Sequence, residues 1–220
     1  MIKTTIVSYG GYLRKNVTTY IDHLDAHLDS YYPSISWHIF DEKIKGGTIQ
    51  LLLQHLEEKV FLHHPNIVFL NISSHDMKSK SVYYMPPEVY GENFQQLLDK
   101  ICKHNNRTGL NRCRPIPFVI TPPPIFKSGE NKYFNNDILA HYNEIIEEVV
   151  RAYNGVYIDL LSIMSKKLNY EELLEKNGLG FNQNGQDFLY DIIFIEMTKL
   201  INYQGVLKER QTFAQKRENV

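Results

Sequence analysis

The sequence predicts an α/β fold, a three-layer α/β/α sandwich in which helices cover both faces of a mostly parallel sheet. Two alternating patterns along the 220 residues support this prediction. One consists of short apolar runs typical of buried strands, and the other of longer segments whose apolar residues recur at helical spacing. Strands separated by helices of this length form βαβ units, and such units build a parallel sheet. A chain of this size needs only one core, so we expect a single domain at 1–206 and a charged tail at 207–220.

Five strands are predicted from the apolar runs. The run at 66–72 is nearly unbroken, as expected for a strand that is covered on both faces of a parallel sheet. The run at 117–121 ends at Pro122, Pro123 and Pro124, which lack the N–H that a strand ladder needs. The predicted strands are 5–9, 36–40, 66–72, 117–121 and 155–159.

Five long helices are predicted between and after these strands. In the first, Tyr20, Leu24 and Leu28 are spaced at i, i+4 and i+8 and form one buried stripe. Right-handed crossovers bring the carboxyl ends of the strands to one edge of the sheet, where α/β proteins bind ligands. We therefore expect the functional site in the loops at that edge. The predicted helices are 13–28, 48–62, 94–104, 137–153 and 186–201.

Composition argues against several functional classes. The net charge of −1 and the pI near 6.8 create no strong field, so we expect neither nucleic acid nor membrane as a partner. The segment 1–7 is too short and polar for a signal peptide, and no apolar run approaches the ~20 residues of a bilayer span, so we expect a cytoplasmic protein. Cys102 and Cys113 are too few for a disulfide framework or a zinc site. We interpret the two cysteines as reduced thiols, with a single disulfide as the alternative. We also expect no cofactor.

The loops at the predicted edge carry blocks that resemble a known family. The order and spacing of these blocks, and their positions after predicted strands, are similar to those of the SGNH/GDSL hydrolases. The resemblance covers about residues 6–201 and implies the family's flavodoxin-like α/β/α fold. The blocks lie at 6–13, 45–53, 66–76, 118–124 and 177–185.

The first two blocks match the family unevenly. In the Gly-Asp-Ser-Leu block, Gly10 is the retained glycine, Gly11 replaces the aspartate and Tyr12 replaces the nucleophilic serine. In the second block, Gly46 matches the glycine whose amide helps to form the family's oxyanion hole, and Gly47 is the alternative match. The resemblance therefore implies a retained backbone and a missing nucleophile.

The later blocks also lack catalytic groups. In the third block, His75 replaces the family's asparagine and Asp76 is kept. In the last block, Asn177 and Gly180 replace the aspartate and the histidine of the triad. The last of the nine histidines is His141, so no small shift of alignment supplies the base in that block.

These replacements predict a pseudoenzyme. Family members hydrolyse esters or thioesters with a serine that a histidine deprotonates, and this chain replaces the nucleophile, the base and the orienting acid. We expect a non-catalytic protein that binds a small-molecule ligand or a protein partner in the remodelled pocket. The expected ligand-binding residues are Gly10, Gly11, Tyr12, Gly46, Gly47, His75 and Asp76.

Two alternatives stay open at this point. The chain is a hydrolase, esterase or acyltransferase if His75, Asp76 and Tyr12 form a rearranged site, with His75 as a base for a water. Tyr12 is a weaker nucleophile than serine here, because a phenol with a pKa of about 10 stays protonated near neutral pH. The chain is instead one subunit of a larger site if a partner supplies the missing groups.

Three further features have structural and functional interpretations. His23 and His27 have the i, i+4 spacing of a metal site on one helix face, although a solvated surface pair is commoner. The aromatic stretch at 83–87 fits a lid, a partner surface or a segment packed under a loop. Asp159, directly after the last strand, is interpreted as a structural cap.

Overall fold

Five parallel strands form one sheet in the part of the chain that the structure describes. That part comprises residues 2–11, 17–104, 114–125, 134–176 and 180–203 of a computed structural model. The strand order is β2-β1-β3-β4-β5, and each neighbouring pair is parallel. The predicted fold class and all five predicted strands are thus confirmed. The strands are β1 (Ile2–Gly10), β2 (Ile35–Glu42), β3 (Ile67–Asn71), β4 (Ile116–Ile120) and β5 (Val156–Ile158).

Six α-helices lie between and after the strands in the described residues. Two 3₁₀ turns, Phe61–His63 and Tyr170–Leu173, and a π-helical end, Lys199–Tyr203, accompany them. Among the described residues, none of the helices has both the length and the apolar character that crossing a bilayer requires. The helices are α1 (Tyr20–Tyr31), α2 (Ile49–Lys59), α3 (Pro87–Lys103), α4 (Asn136–Ala152), α5 (Leu160–Ser165) and α6 (Gln183–Thr198).

Alternation along the strands creates two separate core layers. Successive side chains of a strand point to opposite faces, so neighbours such as Phe69 and Leu70 enter different layers. One layer joins Leu70 and its equivalents to α2, α3 and α4. The other joins Phe69 and its equivalents to α1, α5 and α6. Both faces of the sheet are therefore covered, which explains why the central strands are almost wholly apolar.

Local signals move three boundaries from their predicted positions. Residues 17–19 are not helical, and α1 starts after Thr19 because Thr19 and Asp22 form a capping box. Helix α3 starts at Pro87, seven residues earlier than predicted, since proline suits a first helical turn that has no use for its N–H. Asp159, which we predicted as the last residue of the fifth strand, instead caps α5, a short helix that we did not predict.

Two predicted regions fall outside the described residues. These are the start of the first predicted helix at 13–16 and the charged tail at 207–220.

The structural role of Asp159 is confirmed, because its carboxylate accepts hydrogen bonds from the Ser162 backbone N–H and from the Asn143 side chain.

Candidate functional site

A cleft lies at the carboxyl edge of the sheet, where the predicted loops meet. Its volume is about 100 Å³. Gly11 follows β1, Asn71 ends β3, Thr121 follows β4, and Gly180 and Phe181 precede α6 along its lining. Apolar side chains that complete its walls come from β4, α5 and α6: Ile120, Leu160 and Leu189. The cleft occupies the place at which parallel α/β sheets commonly bind ligands.

A polar network supports the floor of this cleft. The Tyr20 hydroxyl donates to Asn71 Oδ1 at 2.8 Å, and Asn71 Nδ2 donates to Ser8 Oγ at 3.1 Å and to the Tyr9 carbonyl oxygen at 3.3 Å. Burial raises the pKa of the Tyr20 phenol well above its usual range, so this hydroxyl stays a donor at neutral pH. Ser8 is fully buried, and its hydroxyl lies 3.3 Å from that of Tyr20. The serine closest in sequence to the Tyr12 position is thus part of the structural network.

Side chains also fix the helices that form the walls. Gln186 Oε1 accepts the backbone N–H of Tyr20 at 3.1 Å, which ties α6 to the start of α1. Thr121 Oγ1 accepts the backbone N–H of Leu160 at 3.0 Å and so holds the start of α5 against the end of β4. These bonds satisfy donors that a helix start leaves without an intrahelical partner. The cleft is therefore built from braced elements.

The cleft has one cation on its described lining, Lys43. Its ammonium lies 2.8 Å from Asp41 Oδ1. The Lys43 Nζ atom would be 3.9 Å from a Cβ atom at Gly11, so the lysine borders the turn that follows β1. Because Asp41 neutralises Lys43, this lysine adds little net charge to the cleft.

Backbone geometry explains the glycine of the first block. Gly10 has φ +85°, a conformation that disfavours side chains, and a Cβ atom there would lie 2.8 Å from the Asn71 carbonyl oxygen. Gly11 follows with positive φ and lines the cleft. Tyr12, which we predicted to replace the family's nucleophilic serine, lies outside the described residues.

The third-block loop holds the second-block loop in place. Ser73 Oγ donates to the Gly47 carbonyl oxygen at 2.9 Å. Asp76 Oδ2 accepts the backbone N–H of Ile49 at 3.1 Å, at the start of α2. Gly46 and Gly47 both have positive φ and lie in the turn between β2 and α2. The Gly46–Gly47 turn is therefore fixed by the loop that carries His75 and Asp76.

Asp76 is a buried carboxyl group with one partner missing. Only 2% of the residue is exposed, and among the described residues Asp76 Oδ1 has no hydrogen-bond partner. Burial raises the pKa of this carboxyl to about 7, against the lowering effect of backbone hydrogen bonds that include the one from Ile49. Asp76 therefore supports α2 and does not orient the His75 imidazole.

His75 lies beside the cleft. Its Nδ1 atom is 3.3 Å from Ser73 Oγ, and Ser73 lines the cleft. The Tyr83 ring meets the imidazole edge-on, with centroids 6.4 Å apart. Burial lowers the pKa of His75 and the nearby Lys78 ammonium lowers it further, so the ring is neutral at pH 7.

The described residues of the cleft contain no imidazole. All nine histidines fall within the described part of the chain, and none of them lines the cleft. Gly180, which we predicted to replace the family's histidine, does line it. Asn177, which we predicted to replace the family's aspartate, lies outside the described residues.

The fifth block keeps a structural asparagine. Asn182 caps α6 through its Oδ1 atom, which accepts the Gly185 N–H at 3.1 Å. Its Nδ2 atom donates to the carbonyl oxygens of Glu172 and Leu174 at 2.7 and 2.9 Å. Asn182 thus ties the start of α6 to residues 172–174, on the other side of the loop that holds Gly180.

Sequence reasoning did not identify the polar residues of the cleft. The sequence pattern places Tyr20 only in a buried stripe and indicates no role for Asn71, Lys43 or Gln186. A polar residue at the end of an apolar strand, as at Asn71, is the signal that could have found them. Gly10, Gly46, Gly47 and Asp76 support this edge from neighbouring positions, whereas Gly11 lines the cleft directly.

The histidine pair on α1 faces another helix. His23 Nε2 lies 3.1 Å from Asp187 Oδ1, and His27 Nδ1 lies 2.9 Å from the Tyr190 hydroxyl, both on α6. Within the described ranges, no group of three or more potential metal ligands is suitably arranged. These side chains therefore link α1 to α6 at the surface.

The aromatic stretch at 83–87 divides between surface and core. Tyr83 and Tyr84 are exposed, Met85 is buried, and Pro87 begins α3. Tyr84 also borders a surface groove of about 330 Å³ with Asp137 and His141. The stretch therefore combines the predicted packing with an exposed aromatic surface.

Comparison with known proteins gives a consistent picture. The family model described as GDSL-like Lipase/Acylhydrolase family matches residues 8–188. No curated protein matches the chain.

Three solved structures illustrate the likeness in fold. The lipase/acylhydrolase from Enterococcus faecalis has a TM-score of 0.70 at 21% identity, covering 88% of this chain and 95% of its own. The acetyl xylan esterase AlAXEase has a TM-score of 0.71 at 18% identity, covering 87% and 98%. The acetylxylan esterase Axe2 from Geobacillus stearothermophilus has a TM-score of 0.68 at 16% identity, covering 89% and 95%.

Proposed function

We propose that this chain, which belongs to the GDSL-like lipase/acylhydrolase family, has lost the family's triad and binds a small molecule in the cleft without catalysis. The replacements are Tyr12 for the nucleophile, Gly180 for the base and Asn177 for the acid. The cleft itself persists at the carboxyl edge, and its walls are braced by hydrogen bonds.

One observation supports this proposal above the others: the described lining of the cleft holds neither an imidazole nor a carboxylate. Acyl transfer by a hydroxyl requires a base within hydrogen-bond reach, because the hydroxyl is a weak nucleophile at its ordinary pKa. Gly180 has no side chain to act as that base. The Tyr20 phenol, with its raised pKa, cannot take up a proton in its place.

The cleft favours a small ligand. Its volume of about 100 Å³ is well below the ~300–1,000 Å³ of pockets that hold drug-sized molecules. The apolar residues Ile120, Leu160 and Leu189 line the cleft together with the polar residues Asn71 and Gln186. A short aliphatic chain with a polar end fits this combination.

The enzyme alternative has one observation in its favour. A neutral imidazole at His75 stands next to the cleft, and a neutral imidazole can accept a proton. Against it, Asp76 bonds to α2, and the Ser73 hydroxyl donates to Gly47. The alternative thus depends on His75 acting with Tyr12.

Turnover and active-site labelling test the proposal. Purified protein would be incubated with p-nitrophenyl acetate, p-nitrophenyl butyrate and a serine-reactive fluorophosphonate probe. We expect no labelling, and hydrolysis no faster than with the His75→Gln variant. Hydrolysis that is lost in His75→Gln or Tyr12→Phe would overturn the proposal and establish the rearranged site.

Ligand occupancy gives the second arm of this test. We expect butyramide, a neutral short-chain probe, to shift the side-chain amide resonances of Asn71 and Gln186 in an NMR titration. The Gly180→Leu variant should abolish the shifts by filling the cleft, and an unchanged thermal midpoint would show that its fold is intact. Absence of any shift in the wild-type protein would contradict binding in the cleft.

A further inference from the structure

Gln186, near the start of α6, is a buried side chain with half of its amide unused. Only 7% of the residue is exposed, and it lines the cleft. Its Oε1 atom accepts the backbone N–H of Tyr20 at 3.1 Å. Within the described ranges, its Nε2 atom has no hydrogen-bond partner. A carboxamide nitrogen carries two N–H donors, so both donors of Gln186 remain available.

The bond to Tyr20 fixes the orientation of the Gln186 amide. Tyr20 is the first residue of α1, where a backbone N–H has no acceptor within the helix, and this N–H can donate only to the amide oxygen. The Nε2 atom therefore occupies the other position of the amide. Buried side-chain atoms without a partner in the described chain include Asp76 Oδ1 but not Gln186 Nε2, so Nε2 keeps contact with open space. The space that Gln186 lines is the cleft.

The other polar side chains of the described lining add mainly donors. Asn71 Oδ1 already accepts the Tyr20 hydroxyl. Thr121 Oγ1 accepts a backbone N–H at 3.0 Å, which leaves the hydroxyl hydrogen free to donate. The Lys43 ammonium can only donate, and the Ser74 hydroxyl can serve in either direction. The cleft is therefore complementary to a group that accepts hydrogen bonds.

We infer that Gln186 determines the specificity of the cleft by donating from Nε2 to an acceptor oxygen of the ligand, as in a ketone, an ether or an amide carbonyl. This inference rests on the proposed function, because Gln186 meets a ligand only if the cleft binds one. A ligand whose polar end is only a donor would place its N–H groups against those of Gln186. Both sets of donors would then lose water without gaining a partner, which disfavours such a ligand.

Two probes with the same four-carbon skeleton test the inference. Butanone offers one acceptor oxygen and no donor, whereas 2-aminobutane carries an ammonium at neutral pH, as lysine does, and only donates. Each would be titrated into the full chain while the side-chain amide resonance of Asn71 is followed by NMR. We expect butanone to bind the wild-type protein at least about tenfold more tightly than 2-aminobutane.

Variants assign the preference to the Gln186 amide. Gln186→Met has a similar length but no donor, and it should weaken butanone binding about fivefold while leaving 2-aminobutane unchanged. Gln186→Glu keeps an oxygen for the Tyr20 N–H, replaces the donor by an acceptor, and should favour 2-aminobutane at pH 8. The matched control is Gln183→Met, because Gln183 also ties α6 to the segment before α1, through both backbone groups of Thr18, but is not part of the described lining. It should leave the affinity for both probes unchanged.

The outcomes separate this inference from the proposed function. Equal binding of butanone and 2-aminobutane, or a preference that persists in both Gln186 variants, would overturn the role of Gln186 while binding of butyramide still supports the cleft. Equal weakening of both probes in Gln186→Met would show that Gln186 only braces α6 against α1, and it would overturn the inference as well. Failure of butyramide and both probes to shift the Asn71 resonance would contradict the proposed function itself.

Discussion

Asn71 shows how one residue connects the strand edge to the cleft. It ends β3, and its side chain bonds to Tyr20 from α1 and to Ser8 from β1. A Cβ atom at Gly11 would lie 3.4 Å from the Asn71 Cβ, so the asparagine also borders the turn after β1. A polar side chain at this depth persists because its donors and acceptor are satisfied. The same bonds prevent Ser8 from acting as a free nucleophile.

The sequence could not reveal this network. The run at 66–72 predicts a buried strand correctly. The run alone does not indicate which of its polar residues, Asn66 or Asn71, contacts a distant side chain. Tyr20 and Asn71 are separated by 51 residues and meet only because β3 lies next to β1 in the sheet. The resemblance to the family's sequence blocks identified Gly11, which lines the cleft, and His75, which lies beside it, because each block is a short contiguous segment.

Asp76 predicts a dependence of stability on pH. The folded pKa of its carboxyl is about 7, raised from 3.8. Between these values the unfolded state is ionised while the folded state still holds its proton, so unfolding releases a proton. The free energy of unfolding should therefore fall as pH rises from about 4 to about 7, at up to about 1.4 kcal/mol per unit.

The Asp76→Asn variant isolates that contribution. Its amide oxygen can still accept the Ile49 N–H, but the residue no longer titrates. Urea denaturation at pH 5, 6, 7 and 8 should show a smaller loss of stability in this variant than in the wild-type chain. Glu148→Gln, at an exposed position of α4, should leave the wild-type slope unchanged. Parallel slopes for wild type and Asp76→Asn would disprove the prediction.

Helix boundaries follow local chemistry that the apolar pattern does not contain. The periodic pattern locates α2 and α4 within a few residues, since their buried stripes begin close to their first turns. It misplaces the start of α1, where the capping box of Thr19 and Asp22 decides. It misses α5 because six residues are too few for a helical period to emerge.

The first turn of α6 depends on close packing at Gly185. A Cβ atom there would overlap the carbonyl oxygen of Leu173 and would approach Phe181 Cδ1 to 2.5 Å. Gly185→Ala should therefore destabilise the protein by about 3 kcal/mol, since backbone must move to relieve the overlap. Thermal and urea denaturation measure this loss.

Gly91→Ala in α3 is the matched control. Its nearest neighbour would be the Ile145 Cγ2 atom at 3.0 Å, which belongs to a side chain that can adjust. The gain in helix propensity, about 1 kcal/mol, should offset that contact. Similar stabilities for the two variants would show that α6 does not pack tightly on the Tyr170–Leu173 turn.

At the scale of the whole molecule, the sheet separates the cleft from half of the core. The cleft takes its walls from the layer that contains α1, α5 and α6. Helix α3 belongs to the layer on the other face. The binding edge of this fold is produced by sheet topology, so it is present whichever side chains occupy the family's catalytic positions.

This separation predicts a one-sided response to ligand. A molecule in the cleft should slow amide hydrogen exchange in α5 and in the first turns of α6, because local opening there would release it. Exchange in α3 should change much less. Hydrogen-exchange mass spectrometry with saturating butyramide measures the difference, and Gly180→Leu, which fills the cleft, should remove it. Equal slowing in α3 and α5 would contradict the prediction, because it would show that the ligand stabilises the whole fold and not the cleft layer in particular.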